Sequence, residues 1–108
     1  MKMVIAVVQD LDADDTVEAL TEAGYRVTRA ATTGGFFRQG NTTLFCGVAD
    51  ERVQPLINLL RQTCKRRSRM MALAPHSAEH PMTVGAYVEV TVGGATLFVL
   101  DVEHFEQI

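Results

Sequence analysis

The residues best suited to chemistry stand together in ATTGGFFRQGNTT, residues 31–43. This run holds three of the chain's eight glycines, two adjacent phenylalanines, four threonines, an arginine and an asparagine. Gly34 and Gly35 allow backbone N–H groups to come close to a phosphate. Phe36 and Phe37 offer rings on which a base can stack, typically for about 1–3 kcal/mol per base. Asn41 carries the amide that pairs two-pronged with the N6 and N7 edge of adenine. Arg26, just upstream, has the planar cation that meets a phosphate or stacks on a base. From the residues alone this is a nucleotide-type site. The alternative is a glycine-containing hairpin loop whose phenylalanines pack into a neighbour, and composition leaves both open.

Other candidate chemistry is sparse. His76 and His80 have helical ligand spacing for zinc or copper, but they lie between Pro75 and Pro81 with no helical signal, so an exposed loop is expected there. His104 has no evident nucleophile partner, and Ser68 and Ser77 lack a nucleophile-elbow context. Neither a Walker loop nor a dinucleotide fingerprint occurs, and no base–nucleophile pair stands near the glycine loop. Cys46 and Cys64 have no metal-type spacing and read as buried, reduced thiols. The acids Asp10, Asp12, Asp14 and Asp15 read as a capped, solvated helix start, with a divalent-metal site as the alternative.

The elements that must hold the loop follow from periodicity. Lys2–Gln9, KMVIAVVQ, is an apolar strand of the kind buried on both faces. A helix is predicted over Asp14–Ala23, with Ala13, Val17 and Leu20 inward and Gly24 as its left-handed stop. Tyr25–Ala30 alternates as a half-exposed strand, and Thr42–Val48 is a second apolar strand. Asp50 is expected to cap a helix whose stripe is Val53, Leu56, Ile57, Leu60 and Cys64. Pro55 requires that helix to start near Val53. A basic cluster (Arg61, Lys65, Arg66, Arg67, Arg69) closes it, where cations favour the dipole. Arg69–Leu73 reads as a short strand, residues 74–85 as a long loop, and Tyr87–Val92 as a strand. Gly93-Gly94 then has the form of a two-residue hairpin turn into a last strand, residues 95–100.

This order is ferredoxin-like: α+β, βαββαβ, with an extra hairpin inserted before the last strand, in a single domain over residues 1–108. Two helices cover only one face of a four-stranded sheet, yet three strands are apolar on both faces. Another copy of the chain is the simplest cover, so a homo-oligomer is expected. The net charge of −3 gives no reason to expect nucleic-acid binding. The short apolar start fits neither an export signal nor a membrane span, so the expected location is cytosolic.

MKMVIAVVQD, ATTGGF with Arg38, GNTT at residues 40–43, CGV at 46–48 and VGGAT at 92–96 resemble the PII-like cyclic-di-AMP receptor family. The match runs along nearly the whole chain and is weakest in the first helix and over residues 65–86. The resemblance implies a signalling receptor rather than an enzyme. It implies a homotrimer that binds cyclic di-AMP between subunits, needs no cofactor, and relays binding through the loop of residues 65–86 to a downstream protein. By matching motif, Arg26 and Thr28 would line the pocket, Gly35, Phe36 and Phe37 would contact the ligand, and Asn41 would read an adenine edge. Gly47 would approach through its backbone, and Gln107 in the tail would be a further contact. Gly24, where the family often has a polar residue, and Phe37, in place of leucine, depart from the pattern. The rival reading of the same fold is a trimeric metal-tolerance protein using His76 and His80.

Overall fold

The computed structural model describes residues 1–32, 40–72 and 87–108. Their elements run β1 (Lys2–Gln9), α1 (Asp10–Glu22), β2 (Thr28–Thr32), β3 (Asn41–Val48), α2 (Val53–Thr63), β4 (Arg67–Ala72), β5 (Tyr87–Val92) and β6 (Ala95–Asp101). A four-stranded sheet has the order β2-β3-β1-β6, antiparallel throughout, and β4 pairs with β5 in a separate ribbon. This mixed α+β arrangement, with two helices against an antiparallel sheet, is consistent with a ferredoxin-like fold.

Alternation along the strands decides which face is covered. Val4, Ala6 and Val8 of β1, with Leu44, Cys46 and Val48 of β3, are buried against Ala13 and Leu20 of α1 and Leu56 and Leu60 of α2. Leu56, Leu60 and Cys64 follow one another at four-residue steps, so one stripe of α2 lies on the sheet. Pro55 sits in the first turn of α2, where its missing N–H has no partner to lose. A single 3-10 turn, Asp50–Arg52, leads into the helix, and the side chain of Asp50 makes no capping bond, contrary to expectation.

Helix α1 begins four residues earlier than predicted, directly at the end of β1. Asp10 and Asp12 fall in its first turn, near the positive dipole end, but no side chain caps it. The acids bind elsewhere: Asp10 accepts from Thr42, Asp12 pairs with Arg67, and Asp14 pairs with Arg29. Gly24 stops α1 as predicted, with φ +89°. Tyr25 N–H donates to the Leu20 carbonyl and Gly24 N–H to that of Thr21, the paired bonds of a Schellman stop.

Two strand predictions are corrected. The strand expected over Tyr25–Ala30 is Thr28–Thr32. Tyr25 is instead drawn into the core, its hydroxyl donating to the Arg52 carbonyl and its ring lying 4.1 Å beneath the Arg52 guanidinium. The strand expected from Arg69 begins at Arg67. Gly93-Gly94 is not a hairpin turn, because β5 pairs with β4 while β6 pairs with β1. The two glycines, at φ +89° and +87°, carry the chain from the ribbon into the main sheet.

Candidate functional site

Residues 41–48 alternate so that Thr42, Leu44, Cys46 and Val48 face the helices. Asn41, Thr43, Phe45 and Gly47 therefore face the other way, onto the open side of the sheet. Thr28 stands opposite Phe45 in the β2–β3 register and shares that side. Thus the fold brings Thr28, Asn41 and Gly47 to one face. It also spaces them: Asn41 and Gly47 are the two ends of one strand, about 20 Å apart at 3.3–3.4 Å per residue. Arg26 is exposed two residues before β2, and Gln107 is exposed in the segment after β6. Gly35, Phe36 and Phe37 lie outside the described residues, as do His76 and His80.

The two ends of the glycine-rich run are fixed. Thr32 pairs with Asn41 across the last rung of β2 and β3. Asp10 N–H donates to the Gly40 carbonyl at 3.1 Å, and Thr42 Oγ1 donates to Asp10 Oδ1 at 2.6 Å. A Cβ on Gly40 would collide with the same carboxylate. The first residue of α1 therefore latches the point where the run re-enters the sheet. Among the described residues no cluster of three His, Cys, Asp or Glu side chains is placed to hold a metal.

Asn41 is half-buried and lines a cavity of about 200 Å³ with Val7, Gln9, Arg66, Gly93, Ala95 and Thr96. Gly93 N–H donates to Gln9 Oε1 at 2.7 Å, and Gly94 N–H donates to the Cys64 carbonyl. A Cβ on Gly93 would collide with the Lys65 carbonyl, so glycine is required there by both conformation and space. Sequence reasoning missed Gln9, Arg66 and Thr96 as cavity residues. The signal was the strand order: in a ferredoxin-like sheet the last strand starts beside the end of the first, and so beside the start of β3.

Gly47 differs from the other described glycines. It has no positive φ, and a Cβ placed on it meets nothing within 4 Å. Nothing among the described residues requires glycine at this position. Around it the open face carries Met3, Ile5, Val7 and Phe45, half-buried, and Phe98 and Leu100, at 53% and 50% exposure. Ile5 stands between Phe45 and Phe98 in register, so the apolar surface is continuous across three strands.

The family model for the cyclic-di-AMP receptor matches residues 1–108. The crystal structure of a functionally unknown protein from Pediococcus pentosaceus ATCC 25745 is similar at a TM-score of 0.78 and 36% identity. That similarity covers 99% of this chain and 96% of that one. Among the described residues, no helix is long and apolar enough to cross a membrane.

Proposed function

Because the chain belongs to the cyclic-di-AMP receptor family, matched over residues 1–108, we propose that it is a cytosolic signalling receptor that binds cyclic di-AMP between the subunits of a homotrimer. The observation that carries the site is Asn41. It is half-buried at the head of β3, anchored between β1 and β2, and lines a cavity on the open sheet face. A rigidly placed amide at the rim of a cavity is what a two-pronged adenine contact requires. Arg26 meets a phosphate, Thr28 and Gln107 add hydrogen bonds, and Gly35, Phe36 and Phe37 close over a base. Gly47 lets the ligand or a neighbouring chain approach the backbone.

The continuous apolar face of Ile5, Phe45, Phe98 and Leu100 supports assembly, since among the described residues no helix covers it and a second copy is the simplest cover. Receptor function, without turnover, asks of the site only differential affinity and a segment whose order the ligand biases. That segment begins at the β4–β5 ribbon, which leads into residues 73–86 and from there to a downstream protein.

Calorimetry with cyclic di-AMP, cyclic di-GMP and ATP tests the reading. Binding of the first, with Asn41→Ala abolishing the preference for adenine, is expected. Equal binding of all three, or hydrolysis of cyclic di-AMP in a product assay, would refute it. Sedimentation at micromolar concentration should give three chains per particle, and a monomer would remove the shared site.

A further inference from the structure

Arg66 stands between two adjoining cavities. One is the Asn41 cavity. The other, of about 320 Å³, is lined by Leu60, Arg61, Lys65 and Leu97, and both share Arg66, Gly94 and Ala95. No acidic side chain among the described residues lines either cavity. In a molecule of net charge −3 this is a local concentration of positive charge, and its ligand class is an anion.

Arg66 is exposed, and among the described residues its charge is not paired. Its neighbour Arg67 is engaged by Asp12 and by the Lys65 carbonyl. Arg66 itself has no ion pair or hydrogen-bond partner among the described residues. Its guanidinium lies over Gly94, with Nε and Nη2 3.8 Å from where a Cβ would stand. The backbone on either side is fixed, since the Lys65 carbonyl packs on Gly93 and Arg67 opens β4. A fork of N–H donors that no described residue engages, on a fixed backbone beside a cavity that also holds an amide, matches a phosphodiester joined to a base.

We propose that Arg66 binds a phosphate of the nucleotide whose base Asn41 reads, an inference that rests on the receptor reading above. Arg66 immediately precedes β4, so this contact places ligand charge at the root of the ribbon. Occupancy of the site and the position of the ribbon are then coupled through one residue.

The test is calorimetry of cyclic di-AMP with the full chain and three variants. Arg66→Ala is expected to bind at least about tenfold more weakly, the usual worth of a charge-assisted hydrogen bond. Arg66→Lys, which keeps the charge but not the fork, should fall between. Arg61→Ala, in the second cavity only, should change affinity less than about twofold. Arg66 makes no contact on which folding depends, and unchanged circular dichroism of the variants checks this. Wild-type binding with Arg66→Ala unchanged overturns the inference and leaves the receptor reading intact. Equal losses from Arg61→Ala and Arg66→Ala overturn it too, because they would show a diffuse field rather than a contact. A wild type that binds no cyclic di-AMP overturns the receptor reading, and this inference with it.

Discussion

Arg67 grips Asp12 with both guanidinium nitrogens, Nη2 at 2.8 Å from Oδ1 and Nη1 at 3.4 Å from Oδ2. Asp12 is only 3% exposed, in the first turn of α1, and Arg67 is the first residue of β4. The hydrogen bond that Arg67 donates to Asp12 holds the guanidinium above its ordinary pKa, so Arg67 stays charged at any working pH. A buried carboxylate with its partner removed is left in a poor solvent. Arg67→Met should therefore lower the Tm by roughly 5–10 °C. The double variant Asp12→Ala with Arg67→Met should be no less stable than Arg67→Met alone. Thermal unfolding of the four chains in a double-mutant cycle measures this, and additive losses would show that the pair does not couple.

Gly93 and Gly94 make a controlled comparison. Both have φ near +90°, which costs an alanine about 1–2 kcal/mol. Only at Gly93 does a Cβ also run into backbone, the Lys65 carbonyl, whereas at Gly94 it meets the Arg66 side chain in ordinary contact. Gly94→Ala should thus cost about 1 kcal/mol and Gly93→Ala at least about 2 kcal/mol more. Urea unfolding of the two variants reads the difference. Equal costs would mean that conformation alone, without the packing of the ribbon root, requires the pair.

Gly47 separates folding from function. Its φ is not positive and its surroundings are open, so Gly47→Ala should leave the fold intact or stabilise it by up to about 1 kcal/mol. The same substitution should weaken cyclic di-AMP binding by about tenfold, because the methyl group would stand where a ligand or a neighbouring chain approaches. Circular dichroism and calorimetry on the one variant give both readouts. A stable Gly47→Ala chain that binds normally would remove Gly47 from the site.

How much of this was legible in the sequence depends on the range of the forces involved. Apolar runs and their spacing identified β1, β3, α2 and the Gly24 stop, because burial and backbone conformation are written locally. The uncovered sheet face was legible too, since Ile5, Phe45 and Phe98 are apolar at positions that two helices cannot reach. The acids of α1 were misread as caps because their partners Thr42, Arg67 and Arg29 are distant in sequence. Gly93-Gly94 was misread as a hairpin for the same reason: a glycine pair signals positive φ but not which strand comes next. Asn41 and Gly47 were identified by motif, and only the register shows that they share a face at opposite ends of one strand. Arg66 reads in the sequence as one cation of a cluster at a helix end, and only the fold sets it over Gly94.

Cys46 supplies a pH-dependence of known sign. It lies in the middle of β3 at 2% exposure, and burial pushes its thiol from 9.0 up to about 11. The folded chain therefore holds the proton more tightly than the unfolded chain does. Below about pH 9 the thiol is neutral in both states and stability does not depend on it. Above pH 9 the unfolded thiol ionises first, so the unfolded state binds fewer protons and stability falls as pH rises toward 11. At pH 10 this loss amounts to about 1 kcal/mol. Replacing the thiol by hydrogen in Cys46→Ala removes the titration but leaves the other alkaline groups. The difference in urea midpoint between wild type and Cys46→Ala should therefore be constant from pH 7 to 8.5 and shift against the wild type by pH 10. A difference that stays constant to pH 10 would show that the thiol is not held neutral by burial. In the same range, Cys46 should resist a disulfide reagent in the folded chain and react only on unfolding, since reaction requires the exposed thiolate.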